Sequence, residues 1–324
     1  MRAIIPVAGI GSRLRPHTYT VPKVLLNVAG KPIIGHILDK VIQAGITEAT
    51  IVIGYLGEMI KDYVLQHYTI KVDFVEQEER LGLGHAIYLS RHTISRSPIL
   101  IILGDTIFDV DLAAMMEGTV SRLGVKHVDD PRRFGVAETN NGFISKLVEK
   151  PEHPKSNLAV VGLYYIHQPQ ILVDCLKEMI KANARTKDEF QLTDALQMMI
   201  ERGERMQTYN IDGWYDCGKP ETLLSTNQHL LSTYPPPADR PGVVIRPPAF
   251  FSPEATVTNS IIGPHTTVAA GAIVENCIVM NSIISEGAEL QDALLRDSIV
   301  GSNAHVLGNF KRINIGDSSE LLFS

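Results

Sequence analysis

At 324 residues the chain is too long for one ordinary core and suits one large or two medium domains. Its composition, 44% hydrophobic and 20% charged, excludes a disordered chain, and a net charge of −6 argues against a nucleic-acid surface. The 3 cysteines, Cys175, Cys217 and Cys277, are odd in number and far apart, which fits neither a disulfide framework nor a zinc cluster. No apolar run approaches ~18 residues and no basic segment precedes one, so a cytoplasmic location is expected.

Ile4 and Ile5 open a short buried strand. Ala8-Gly9-Ile10-Gly11-Ser12-Arg13 follows, a loop of little side-chain bulk ending in a cation. Small residues let the backbone approach a phosphate and aim N–H groups at it, and arginine adds a planar donor fork. Lys23 stands between Pro22 and an apolar run. Alone it would read as a snorkelling surface charge; paired with the upstream loop it reads as a second phosphate contact. A dinucleotide fingerprint fails because, counting Gly9 as the first, the sixth position is Leu14, and a P-loop fails because no Gly-Lys-Ser/Thr occurs.

Residues 33–44 place Ile33, Ile34, Ile37, Leu38, Val41 and Ile42 on one helical face, stopped by Gly45. Ala49 to Tyr55 is an apolar strand, Glu58 to His67 a weaker helix, and Ile70, Val72 and Phe74 alternate as a strand. That order predicts a parallel sheet with helices on both faces and the glycine loop at its carboxyl edge. A polar turn at 76–82 then leads into a helix. Pro98 to Leu103 is a further strand, ending in Gly104-Asp105. An aspartate there is commonly a helix N-cap, but the pattern starts the next helix near Asp111, which leaves Asp105 for the ligand edge. Residues 134–138 and 143–148 form a hairpin about Asn140-Asn141-Gly142, whose turn requires positive φ. Glu149-Lys150-Pro151 and a strand at 159–165 follow. Helices at 169–182 and up to Arg202, a strand at 206–211 and Trp214-Tyr215-Asp216-Cys217-Gly218 complete this part.

Prolines at 235–237, 241 and 247–248 mark a linker. Beyond it, Val257, Ile262, Val268, Val274, Val279, Ile284, Leu290, Leu295, Val300 and Val306 advance by five or six residues each time. This hexapeptide-like period predicts a parallel β-helix with stacked inward aliphatics, whose open end and faces suit self-association.

The run Ala8-Gly9-Ile10-Gly11-Ser12-Arg13-Leu14-Arg15-Pro16, then Pro22-Lys23, then Lys31-Pro32-Ile33-Ile34, resembles the signature of sugar-1-phosphate nucleotidylyltransferases. Ala8 stands for the family's first glycine, as in bacterial UTP–glucose-1-phosphate uridylyltransferases, and Ser12 for its threonine. The resemblance covers about residues 2–232, with the long, β-helix-bearing members matching the repeat tail. It implies an α/β, Rossmann-like domain with a mixed, mostly parallel sheet at 1–234. A proline-rich linker at 235–253 and a left-handed parallel β-helix at 254–324 would follow. It implies transfer of a nucleoside monophosphate from dTTP or UTP to a sugar 1-phosphate, glucose 1-phosphate by default, with release of pyrophosphate.

Residue by residue, the resemblance makes Arg13 and Lys23 catalytic. Ala8, Gly9, Gly11, Ser12, Gln77, Gly82 and Gly104 would bind nucleotide, with Gln77 and Gly82 reading the base. Gly135, Glu149, Lys150 and Gly162 would bind the sugar phosphate, and Asp105 and Asp216 would hold Mg2+. The implied partners are the nucleoside triphosphate and sugar 1-phosphate, with no nucleic acid or membrane, in a homo-oligomer, a dimer or tetramer. Competing readings are a GTP-using mannose-1-phosphate guanylyltransferase, a non-catalytic nucleotide-sugar-binding homologue, an enzyme whose β-helix also transfers an acyl group, and a purely structural oligomer.

Overall fold

The computed structural model describes residues 1–308, so the end of the stretch read as β-helix, 309–324, lies outside the described residues. The chain forms two compact units, Met1–Thr226 and Asn227 onward. No helix among the described residues is long and apolar enough to cross a membrane.

In the first unit, β1 (Arg2–Pro6) buries Ala3, Ile4 and Ile5 completely. Single 3₁₀ turns at Ser12–Leu14, His17–Tyr19 and Lys23–Leu25 follow the glycine loop, then β2 (Asn27–Val28) and β3 (Lys31–Pro32). Helix α1 (Ile33–Gln43) buries Ile33, Ile34, Ile37, Leu38 and Val41. Ile42, expected on the same face, is exposed. At ~100° per residue the five buried positions span ~140°, and Ile42 falls beyond that arc.

Strand β4 (Glu48–Ile53) ends before Tyr55, which the sequence reading placed in the strand and which is exposed in a turn. The chain leaves the sheet at Gly54, whose carbonyl accepts from Gly57 N–H at 2.9 Å. Then come α2 (Gly57–His67), β5 (Lys71–Glu76), α3 (Leu83–Leu89), β6 (Ile99–Ile102) and β7 (Thr106–Asp109). Helix α4 (Leu112–Met115) is capped by Asp111, which accepts from Ala114 N–H at 3.0 Å. Asp105 is therefore not the cap.

The rest of the unit is β8 (Ser121–His127), β9 (Gly135–Asn140), β10 (Phe143–Glu149), β11 (Leu158–Ile166), α5 (Pro169–Lys181), α6 (Leu192–Glu201), β12 (Met206–Asn210), β13 (Gly213–Asp216) and the start of α7 (Pro220–Ser232). The β9–β10 turn has φ of 50° at Asn141 and 80° at Gly142, the left-handed pair that matches hairpin twist.

The main sheet runs β10-β9-β11-β6-β1-β4-β5, with β8 pairing β11 and β12. β6, β1, β4 and β5 are parallel, and β11 is antiparallel to β6, β8 and β9. The sheet is thus mixed, with its parallel half carrying the glycine loop. Ile4, Val52 and Ile101 pack with Leu172, Leu176, Leu196 and Met199 in one core. Central strands covered on both faces read as unbroken apolar runs, which is why β1 and β6 show no alternation.

The second unit coils. β14 (Val243–Ile245), β17 (Ser260–Ile262), β20 (Ile278–Met280) and β23 (Leu294–Arg296) form one parallel sheet. β15 (Ala249–Phe251), β18 (Thr266–Val268), β21 (Ile283–Ile284) and β24 (Ile299–Val300) form the second. β16 (Thr256–Thr258), β19 (Ile273–Glu275), β22 (Glu289–Gln291) and β25 (His305–Leu307) form the third. Three parallel sheets of short strands are the arrangement of a left-handed β-helix. Val257, Ile262, Val268, Val274, Val279, Ile284, Leu290 and Val300 line its core.

The first coil begins at Val243, inside the stretch read as linker, because Val243–Ile245 and Ala249–Phe251 complete ladders with β17 and β18. The corners are residues with positive φ: Asn259, Asn276, Asn281, Asp292 and Asp297. Short amides and carboxylates tolerate this conformation, which is why Asn or Asp recurs at these five corners.

Candidate active site

β1 and β6 are parallel neighbours, so the loop after β1 and the Gly104-Asp105 turn after β6 leave the same sheet edge. Gly11 has φ of 63°, and a side chain there would press on the Lys23 stem and on Thr18 at 3.0 Å. The loop and Lys23 are therefore packed together. Lys23 is only 7% exposed, and its ammonium donates to Asp105 Oδ2 at 2.9 Å.

Asp105 lies deep in the fold, yet its side chain is 41% exposed because the cleft opens onto it. Burial works to raise its carboxyl, but Lys23, then Thr106 Oγ1 donating at 3.2 Å, hold it below the usual aspartate range. Asp216, 111 positions later, is brought alongside by β13, which pairs antiparallel with β7 and sets Asp216 against Thr106. One residue on, Cys217 N–H donates to the Asp105 carbonyl at 2.9 Å. The Asp216 carboxyl is pushed up, first by burial and also by the Asp105 charge, against the pull of Lys23 and Arg13.

Two hard-oxygen carboxylates that repel each other are a donor set a divalent cation fits. Among the described residues no three His, Cys, Asp or Glu side chains converge on a metal position. Magnesium binding there would rely on phosphates and water to complete its shell. The Cys217 thiol, beside this pair, is buried and pushed up to about 12, so it is no nucleophile.

At the other end, Glu149 closes β10 directly opposite Gly135. Thr193 Oγ1 donates to Glu149 Oε2 at 2.7 Å, and Lys150 Nζ lies 3.3 Å from Oε1. Lys150 sits at φ 43°, a left-handed conformation unusual for lysine, held by its N–H bond to the Phe134 carbonyl at 3.0 Å. Gln77 is buried. Its Nε2 donates to the Gly82 carbonyl at 3.2 Å and lies 3.3 Å from His85 Nδ1. Burial lowers the His85 pKa, so the ring is neutral and its nitrogen can accept.

One cleft of about 690 Å³ is lined by Ala8, Gly9, Gly11, Ser12, Arg13, Lys23, Gln77, Gly82, Gly104, Asp105, Gly135, Glu149 and Lys150. Gly162 and Asp216 are not among its lining residues. Gly162, at φ 87°, accepts from Leu103 N–H at 2.9 Å, and a side chain there would strike Leu103 at 2.6 Å. Its glycine is accounted for by that packing. Arg133, Tyr164, Glu189, Gln191 and Thr193 also line the cleft without having been singled out. The signal for the last three was the largely polar stretch Asp188 to Asp194 just before a helix.

A family model described as Nucleotidyl transferase matches residues 2–233. A low-salt glycan biosynthesis nucleotidyltransferase of Haloferax volcanii is 28% identical over 369 aligned positions, covering 99% of each chain. A glucose-1-phosphate thymidylyltransferase of Streptomyces griseus is 32% identical over 314 positions, covering 88% of this chain and 87% of its own. A solved structure of a UDP-glucose pyrophosphorylase complexed with UDP-glucose aligns with a TM-score of 0.64 at 27% identity, over 72% of this chain and 99% of that one. The family match runs through the whole unit that holds the cleft, and so this chain belongs to the nucleotidyl transferase family, as an enzyme of the sugar-1-phosphate nucleotidylyltransferase type.

Proposed function

We propose that the cleft transfers a nucleoside monophosphate from dTTP or UTP to a sugar 1-phosphate, glucose 1-phosphate first among them, and releases pyrophosphate. One observation carries this reading: a phosphate-cradling loop with Arg13 and Lys23 shares a single cavity with the Glu149–Lys150 pair. The first suits a triphosphate; the second suits sugar hydroxyls and their phosphate. Similarity to a thymidylyltransferase and to a UDP-glucose pyrophosphorylase supports the two pyrimidine nucleotides.

A phosphate monoester is largely ionised at neutral pH, so its oxygen needs no general base. It attacks the α-phosphorus, a new P–O bond forms, and the bond to the bridging oxygen of the leaving pyrophosphate breaks. The protein positions two anions and neutralises them. The Lys23 ammonium has three protons; Asp105 takes one, leaving two for phosphate oxygens. Arg13 offers its fork to the leaving pyrophosphate. Magnesium, when held by Asp105 and Asp216, would supply further neutralisation of phosphate charge.

The Gln77 amide protons are directed to Gly82 and His85, which leaves Oε1 as an acceptor. Uracil and thymine present a ring N–H to such an acceptor, whereas adenine and cytosine present a lone pair. Guanine shares the N–H, so the nucleotide comparison must include GTP. Pyrophosphate release with five nucleoside triphosphates against glucose, mannose and N-acetylglucosamine 1-phosphates tests the reading. Turnover is expected with dTTP or UTP and glucose 1-phosphate. Faster turnover with GTP, or none with any pair, would overturn it.

A further inference from the structure

We infer that His85 is a positioning residue: it fixes which end of the Gln77 amide meets the nucleotide base, and so sets a preference for uracil or thymine over cytosine. The inference rests on the nucleotidyl-transfer reading of the cleft given above and deepens its base recognition. A glutamine side chain carries a donor at one end and an acceptor of the same shape at the other. Left to turn freely, it could meet the ring N–H of uracil with Oε1 or the ring lone pair of cytosine with Nε2. A base preference therefore needs a neighbour that holds the amide one way round.

Gln77 is anchored by its own N–H, which donates to the Ile53 carbonyl at 2.8 Å, and the residue is only 6% exposed. Both protons of its Nε2 have acceptors, the Gly82 carbonyl at 3.2 Å and His85 Nδ1 at 3.3 Å. Turned the other way, Oε1 would face the Gly82 carbonyl with no proton between them. The amide protons would lose both partners, which is costly for a buried group.

The two acceptors are themselves held in place. Phe190 N–H donates to the Leu81 carbonyl at 2.8 Å and Gly84 N–H to the Phe190 carbonyl at 2.7 Å, which clamps the turn that carries Gly82. A side chain at Gly82 would strike the Phe190 carbonyl oxygen at 2.7 Å. His85 stands in the first turn of α3, and its ring lies 6.4 Å from the Phe190 ring, centroid to centroid. Burial favours its neutral form; the Glu79 carbonyl and charge pull the other way, and Arg185 acts with burial. A neutral ring has one bare nitrogen, so accepting at Nδ1 puts the proton on Nε2. His85 is not among the residues lining the cleft, so it acts on the base through Gln77. A ring present only to pack on Phe190 would have no effect on which base is used.

Initial rates of the full chain with UTP, dTTP and CTP against glucose 1-phosphate test this, with circular dichroism confirming that each variant is folded. The wild type is expected to prefer UTP or dTTP to CTP by ~10³-fold or more in kcat/KM. His85→Leu removes the acceptor and should lower that ratio ~10-fold or more, the Gly82 carbonyl keeping part of the bias. His85→Asn, whose Oδ1 can stand in for Nδ1, should hold the ratio within ~3-fold of the wild type. A ratio unchanged in His85→Leu, or lowered equally in both variants, would overturn the role of His85 and leave the reaction standing. A wild type that does not prefer UTP or dTTP to CTP would overturn both. Nitrogen-15 spectra of the histidine-labelled wild type give a check that needs no altered base preference. The His85 signals, assigned by their loss in His85→Asn, should show a bare Nδ1 and a protonated Nε2 at pH 7.5. A proton on Nδ1 would overturn the inference.

Discussion

Lys23 Nζ donates to Asp105 Oδ2 across 2.9 Å, joining a residue of the phosphate loop to one at the end of the neighbouring strand. The proposed metal ligand and the proposed phosphate contact are thus one electrostatic unit. Asp105→Asn removes the anion that pairs the buried ammonium and one of two carboxylates. Turnover should fall by ~10³-fold or more at saturating magnesium, with the far-UV spectrum unchanged. Near-normal turnover would remove Asp105 from the chemistry.

Gly218 lies between two other charged groups. A side chain there would meet Asp216 Oδ1 at 2.8 Å and Arg13 Nη2 at 2.9 Å. Gly218→Ala should displace both and lower kcat ~10–100-fold, while thermal stability changes little because the added methyl meets only the ends of two side chains and no backbone. Arg13→Lys should likewise cost rate more than nucleotide affinity, since an ammonium cannot reproduce a two-pronged contact. A change confined to the KM for sugar phosphate, in either variant, would contradict this placement.

Thr193→Val takes away the hydroxyl that holds Glu149 Oε2 at 2.7 Å. Leaving a shielded acceptor without its donor costs about 1–3 kcal/mol, so the KM for the sugar phosphate should rise ~10-fold or more. The KM for the nucleotide should stay put. Equal effects on both substrates would mean that Thr193 supports the cleft generally, not the Glu149 end.

Burial holds His36 below the ordinary histidine pKa, despite the Nε2–H bond to the Val28 carbonyl at 2.8 Å; burial lowers His17 and His85 too. Each favours the neutral form in the folded state. Their stabilising contribution is complete above the unfolded value of ~6.5 and is lost as pH falls through it toward the lower folded-state pKa. Tm should drop between pH 7.5 and 5.5, and less steeply in His36→Gln, whose amide can keep the bond to Val28. Parallel curves for the two proteins would show that His36 carries no share of the loss.

The sequence by itself determined the elements and the site's ingredients. Apolar runs in β1 and β6, the helical stripe of α1, the Asn-Gly hairpin turn and the five-to-six-residue aliphatic step are local patterns, and local patterns fix local structure. The glycine loop with Arg13 and Lys23 was legible for the same reason, since its residues are close in sequence. Only the tertiary structure decided which residues meet. Asp105 and Asp216 are joined by the β7–β13 ladder, a pairing no periodicity announces. Thr193 reaches Glu149 because α6 packs beside β10. Gly162, read as a sugar contact, answers to Leu103 across the sheet. The first coil of the β-helix starts among prolines because Val243–Ile245 finds β17 to pair with. Hydrogen-bonded pairing and packing between distant segments carry no sequence period, so these positions could be read only once the chain was folded.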